Sequence, residues 1–260
     1  MINIDLPFIP ERTTKPRQTG IAMVMDKCLS LREAEDLVSI SSDYIDYVKL
    51  GFGTSVVTRE VQKKIDVFKQ ADIRVYLGGT LFEAFIIRDR FDDYRKYIDQ
   101  LRLDTVEISD GSMRINHDQK CEYINTLSKQ YTVLSEVGSK ESGILIAPGK
   151  WIEMMQKELQ AGSFKVIGEA RESGNVGIYR PTGKAHVTLI NKILSKVDNQ
   201  KIIWEAPLKS QQAWFIQHFG SNVNLGNISP AEVIPLETLR LGLRGDSFDF
   251  FLDKPVQSHL

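Results

Sequence analysis

Four glutamates, Glu107, Glu136, Glu169 and Glu205, each close a short apolar, largely β-branched run: DTVE, YTVLSE, FKVIGE and KIIWE. Loop residues follow each of them at once. Carboxylates are hard oxygen donors, and one or two of them together with substrate oxygens are the usual grip on Mg²⁺. Cations stand in comparable places: Lys27 after the first apolar run, Lys49 in YIDYVKL, Lys140 in VLSEVGSK and Arg171 in EARESG. Arginine grips a phosphate or carboxylate as a fork, whereas lysine acts as a point charge or, with a depressed pKa, as an acid–base group. For any single residue, mutual ion pairing at a rim explains the charge equally well. For the whole set, a bound anion and metal explain it better, because so many buried charges are costly unless paired or ligated.

The glutamates recur at intervals of roughly 30 residues, the length of one strand–helix unit. Amphipathic stretches fill the gaps. Ser30 and Glu33 form a capping box ahead of Leu31, Ala34, Leu37 and Val38, and Thr58 is placed to cap a helix that buries Val61, Ile65 and Phe68. One helical stretch is expected from about Thr80 to Leu101, and others carry Cys121, Ile124 and Leu127, then Trp151 and Met155, then Val187, Ile190 and Leu194. Eight strand–helix alternations predict an α/β fold, a single (β/α)₈ TIM-type barrel, and 260 residues suit it, since about 250 is typical. An open doubly wound sheet is the alternative. It fits less well, because no glycine-rich dinucleotide fingerprint opens an early helix and polar groups recur at every strand end. Residues 1–18, with Pro7, Pro10 and Pro16, read as an extended arm, residues 19–250 as the barrel and 251–260 as a tail.

A barrel brings the carboxyl ends of its strands to one mouth. Asp26, Lys27, Lys49, Glu107, Glu136, Lys140, Glu169, Arg171 and Glu205 are all expected there. The loops around Gly51 to Gly53 and Gly78-Gly79, the turn at Ser109, and the stretch ending Gly226-Asn227 offer backbone N–H groups to a phosphate. Gly53, Gly79, Ser109, Gly226 and Asn227 are therefore candidate substrate contacts, although glycine turns at strand ends are common without any ligand. The long loop from Glu169 to Lys184 reads as a lid or binding loop.

Thirty-three basic against 34 acidic side chains give no reason to expect a nucleic acid or an anionic membrane as partner. Cys28 and Cys121 have no pairing or metal spacing and read as free thiols, Cys28 as a small buried filler. The four histidines share no ligand spacing, and the tryptophans read as core. No apolar run approaches the length of a membrane span, and the opening residues lack the order of a secretory signal, so a cytoplasmic location is expected.

In chain order, YIDYVKLGFGTS, VYLGGTLFE, VEISDGS, VLSEVGSK, EARESG, EAPLKSQQAWFI, FGSNVNLGNI and LETLRLGLRGDSF resemble the phosphosulfolactate synthase family, over roughly residues 19 to 250. That resemblance implies Mg²⁺-dependent addition of sulfite to phosphoenolpyruvate, giving (2R)-O-phospho-3-sulfolactate by carbon–sulfur lyase chemistry. It implies a proton donor at Lys140, anion binding by Lys27, Lys49 and Arg171, and metal binding among Glu107, Glu136, Glu169 and Glu205. Ser139 stands where some relatives carry a second lysine, and Ala170 where relatives have glycine. Similar sequences include plant heat-stress-associated proteins, so a non-catalytic role is an alternative, as is another lyase reaction on an enol phosphate in the same mouth. Coenzyme M precursor synthesis and sulfolactate accumulation would use the same product. A homo-oligomer is left open: no helical face announces a seam, while the proline-rich arm is placed to reach a neighbour.

Overall fold

Parallel strands buried on both faces need helices on one side and a filled interior on the other, and this chain supplies both. The computed structural model describes residues 3–138, 146–171 and 173–252. Within them lie β1 (Ala22–Asp26), β2 (Tyr47–Leu50), β3 (Arg74–Leu77), β4 (Thr105–Ile108), β5 (Thr132–Val137), β6 (Lys165–Gly168), β7 (Ile202–Glu205) and β8 (Leu225–Ile228). The helices are α1 (Leu31–Ser41), α2 (Val61–Gln70), α3 (Gly79–Ile86), α4 (Phe91–Gln100), α5 (His117–Ser128), α6 (Pro148–Ala161), α7 (Val187–Leu194), α8 (Lys209–Phe219) and α9 (Val233–Arg240). All paired strands run parallel, in the order β3-β2-β1-β8-β7-β6-β5-β4. β3 and β4 lie side by side and bring the sheet round to a nearly closed (β/α)₈ barrel.

Side-chain parity decides what enters the barrel. Ile21, Met23, Tyr47, Tyr76, Leu134, Ile167 and Ile203 pack together inside it, apart from the larger core between barrel and helices. Because successive strand residues point to opposite faces, the residue two further along from each of these also points inward. Those residues are Met25 after Met23, Lys49 after Tyr47, Glu136 after Leu134, Glu169 after Ile167 and Glu205 after Ile203. The apolar filling thus ends at a charged layer.

Several local expectations are corrected. The stretch from Thr80 to Leu101 is two helices, α3 and α4, separated at Ile87–Arg90, where Asp89 takes a left-handed backbone with φ 53°. Thr58 does not cap α2: its hydroxyl donates to the Thr54 carbonyl at 2.8 Å, and Glu60 holds the cap position. The capping box of Ser30 and Glu33 on α1 is present. Cys28 is exposed rather than a buried filler, because it falls in the loop beyond the interior-facing run of β1. Trp151 and Trp204 are buried and Trp214 packs against the core.

Residues 3–18 contain no helix or strand. They are fastened to the amino-terminal end of the barrel, opposite the mouth. Arg12 Nε donates to Glu237 at 2.8 Å, Lys15 Nζ to the Ser42 carbonyl at 3.0 Å, and Arg17 pairs with Asp46 at 3.1 Å. From residue 253 onward the tail lies outside the described residues.

Candidate active site

Lys49 is the hub of the mouth. Its ammonium lies 3.0 Å from Glu107, 3.5 Å from Glu136 and 3.3 Å from Glu205, and all four side chains are buried. Burial alone would lower the lysine pKa, but the three carboxylates outweigh it and hold the group well above its ordinary value. Lys49 is therefore a fixed positive charge. Glu205 bears the cost: burial, reinforced by Glu136 and Glu107, pushes its carboxyl up to about 7 in spite of Lys49. Tyr76, in register with Lys49, is also raised by burial and by Glu107.

Glu136, Glu169 and Glu205, at the ends of three neighbouring strands, each offer an oxygen within 4.8 Å of the others. Further contacts orient these side chains. Glu205 Oε2 accepts the Ala170 amide at 2.9 Å, Glu169 Oε1 accepts the Arg171 amide at 2.6 Å, and Glu107 Oε1 accepts the Gly79 amide at 2.6 Å. Two glycines make room around Glu169. A Cβ on Gly138 would sit 2.4 Å from that of Glu169, and one on Gly177, at φ +66°, would sit 1.9 Å from the Glu169 carbonyl oxygen. Gly177 lets the loop after β6 turn back under its own strand, where the Ile178 amide donates to that carbonyl at 3.0 Å. The loop is pinned further on: Tyr179 Oη donates to the Glu205 carbonyl at 2.7 Å, and Gln211 donates to the carbonyls of Gly174 and Gly183.

Above these groups opens a cavity of about 440 Å³. Of the residues anticipated from sequence, Lys49, Glu107, Glu136, Glu169, Arg171, Glu205 and Asn227 line it. Arg171 is exposed and Asn227 buried, and both hold a left-handed backbone, with φ 40° and φ 56°. Lys27 lines a smaller adjoining cavity of about 270 Å³ that shares Met25 and Asn227 with the main one. Gly226 faces the interior, where a Cβ would meet Met23 at 2.6 Å, and Gly53 sits in the β2 loop facing Leu81. The Gly79 amide is engaged by Glu107, and the Ser109 hydroxyl donates to Glu83. Lys140 lies outside the described residues.

Asp26 does not join the mouth. Met23 and Met25 carry the inward parity of β1, so Asp26 points outward, where it pairs with Lys64 at 2.7 Å and accepts the Leu29 amide at 2.8 Å. Glu83 was missed because it lies on a helix. It is buried, receives the Ser109 hydroxyl and accepts the Ser112 amide at 2.6 Å, so it shapes the β4 loop beside the cavity. Tyr76 and Lys120 were missed too; parity along β3 would have found Tyr76.

Three buried carboxylates supplying one oxygen each form a hard donor set that fits a divalent cation such as Mg²⁺. A family model described as (2R)-phospho-3-sulfolactate synthase (ComA) matches residues 10–246. Over 244 residues the chain is 43% identical to phosphosulfolactate synthase of Methanothermobacter thermautotrophicus, covering 92% of this chain and 95% of that protein. It is 40% identical over 243 residues to phosphosulfolactate synthase of Bacillus subtilis, covering 92% and 96%. The barrel also aligns with 3-hexulose-6-phosphate synthase from Salmonella typhimurium at TM-score 0.53 and 14% identity, over 86% of this chain and 100% of that one, which is a likeness of fold alone. Matched along nearly its whole length, the chain belongs to the phosphosulfolactate synthase family.

Proposed function

We propose that the barrel mouth adds sulfite to phosphoenolpyruvate with Mg²⁺ to give phosphosulfolactate, a carbon–sulfur lyase reaction run in the direction of synthesis. The observation that carries this reading is the meeting of Glu136, Glu169 and Glu205, each with an oxygen within 4.8 Å of the others, beside the Lys49 ammonium. Among the described residues one buried ammonium faces three carboxylates, and Glu205 keeps a proton to nearly neutral pH. A cation bound by Glu136, Glu169 and Glu205 would replace that proton.

In the reaction the sulfur lone pair of sulfite attacks the methylene carbon. A carbon–sulfur bond forms as the π pair moves to the neighbouring carbon and into its carboxylate, a proton adds to that carbon, and the phosphate ester stays intact. A bound Mg²⁺ would supply positive charge where the carboxylate takes up the electron pair. The chain's own residues do the rest. Lys49, held protonated, keeps Glu107, Glu136 and Glu205 in place rather than donating a proton. Arg171, on the exposed lip, offers a fork to the phosphate or carboxylate. Lys27 and Asn227, in the adjoining cavity, are placed to meet a second anion. Lys140 is assigned the proton delivery on the strength of the family resemblance.

The test is incubation with phosphoenolpyruvate, sulfite and Mg²⁺, followed by ³¹P and ¹H NMR. The reading requires a phosphosulfolactate signal that disappears with chelator. Turnover of another enol phosphate without use of sulfite would replace it.

A further inference from the structure

Behind β5, on the side away from the cavity, lies a buried charged group that the proposed chemistry does not use. Lys120, on α5, has no exposed surface. Its ammonium lies 2.9 Å from Glu158 on α6 and 2.8 Å from Asp110 in the β4 loop, and it donates to the Glu136 backbone carbonyl at 2.6 Å. Glu158 and Asp110 hold the lysine above its ordinary pKa against the effect of burial. Next to Glu136 in β5, the Ser135 hydroxyl accepts from the Ser163 hydroxyl at 2.7 Å.

The carbonyl that Lys120 takes explains the arrangement. The register of β4 with β5 ends at Ile108 opposite Ser135. On the β6 side, the carbonyls of Val133 and Val137 accept from Phe164 and Glu169. Carbonyls alternate along a strand, so that of Glu136 points toward β4, one residue past the point where β4 stops. Left alone it would be a buried acceptor without a ladder partner, which is costly because its hydration is lost with nothing in return. A hydroxyl or amide would satisfy it equally well. Lys120 does more, because the same ammonium also grips Asp110 and Glu158 and so locks the β4 loop, α6 and the end of β5 at one point. A buried ion cluster of this kind adds little net stability over apolar residues of the same volume. What it adds is a fixed place for the Glu136 backbone, and with it the Glu136 carboxylate on the opposite face.

We propose that Lys120 is a positioning residue for the cation site: by fixing the Glu136 carbonyl it sets where the Glu136 carboxylate meets Glu169 and Glu205. The inference rests on reading those three carboxylates as the site of a divalent cation. Partners that orient metal ligands typically alter affinity or activity by 10–100-fold when removed.

The experiment measures Mn²⁺ binding by electron paramagnetic resonance on the whole chain without substrates. Lys120→Met leaves the buried Glu158 carboxylate without its ammonium, with His117 3.7 Å away, and risks unfolding, so Lys120→Met/Glu158→Gln is measured alongside it. A matched control, Lys64→Met/Asp26→Asn, removes an equally buried ion pair behind β1. The expected result is Mn²⁺ binding weakened 10–100-fold in the Lys120 double variant, with an altered spectrum at saturating metal, and unchanged affinity in the control. Wild-type affinity in a folded Lys120 double variant overturns the positioning role while leaving the cation site intact. Equal weakening in both double variants overturns it as well, since that would be a general loss of rigidity. Absence of Mn²⁺ binding to the wild type overturns both the cation site and the role given to Lys120.

Discussion

Lys49 Nζ stands 3.3 Å from Glu205 Oε1 across the barrel, while the other oxygen of Glu205 accepts the Ala170 amide next to Arg171. One carboxylate therefore links the fixed charge on β2 to the loop that carries the exposed guanidinium.

Replacing the hub tests it. Lys49→Met leaves Glu107, Glu136 and Glu205 without their ammonium, and removing one partner from a buried ion pair costs about 3–5 kcal/mol. The metal-free variant should melt well below the wild type. Added Mg²⁺ should raise its melting temperature by more than it raises that of the wild type, because the cation then takes over neutralisation that the ammonium supplied. Thermal scans with and without Mg²⁺ check this; equal shifts would remove the cation from the cluster.

The raised Glu205 carboxyl sets a pH dependence. Its folded pKa of about 7 exceeds the ordinary 4.5, so between these values the folded chain holds a proton that the unfolded chain has released. More protons bound when folded means that stability falls as pH rises through this window. Denaturant titrations of metal-free protein from pH 5 to 8 should show the decline, and Glu205→Gln should flatten it. A wild-type curve as flat as that of the variant would contradict the burial argument.

Arg171 is exposed at the cavity lip, so Arg171→Ala should leave the melting temperature nearly unchanged. Hydrogen bonds to charged groups contribute about 1.5–3 kcal/mol, and KM for the phosphorylated substrate should rise roughly tenfold or more. Steady-state kinetics at saturating sulfite measure it, and an unaltered KM would take Arg171 out of anion binding.

Gly177→Ala places a Cβ 1.9 Å from the Glu169 carbonyl oxygen at a left-handed φ. Strain of this kind costs about 1–3 kcal/mol, and the loop must shift to relieve it. Because the same turn seats Glu169, the variant should bind Mg²⁺ more weakly as well as melt earlier, which calorimetry and thermal scans separate. Gly149→Ala, where nothing lies within reach of the new methyl, should change neither.

The strand ends were legible because strand periodicity and charge coincide in this chain. Glu107, Glu136, Glu169 and Glu205 follow short apolar runs, and a closed barrel can only bring such ends together. Asp26 misled because it too ends an apolar run, yet it is one position out of phase with Met23 and Met25 and so points outward to Lys64. Lys27, one residue later, has already left the strand. Glu83 and Lys120 were hidden for another reason: on a helix, a charged residue at a buried position looks like any other polar residue until its partner from another element is known. Ser109 and Gly79 read as substrate contacts from their place in the loops, and only three-dimensional packing reveals that Glu83 and Glu107 already engage them.

The most direct measurement is an anomalous difference map from crystals soaked in Mn²⁺ and phosphoenolpyruvate. The account predicts one strong peak coordinated by carboxylate oxygens of Glu136, Glu169 and Glu205, with the substrate's carboxylate or phosphate beside it and Arg171 turned toward that anion. A peak bound elsewhere, or substrate seated in the mouth with Lys49 still the only cation among those carboxylates, would contradict it.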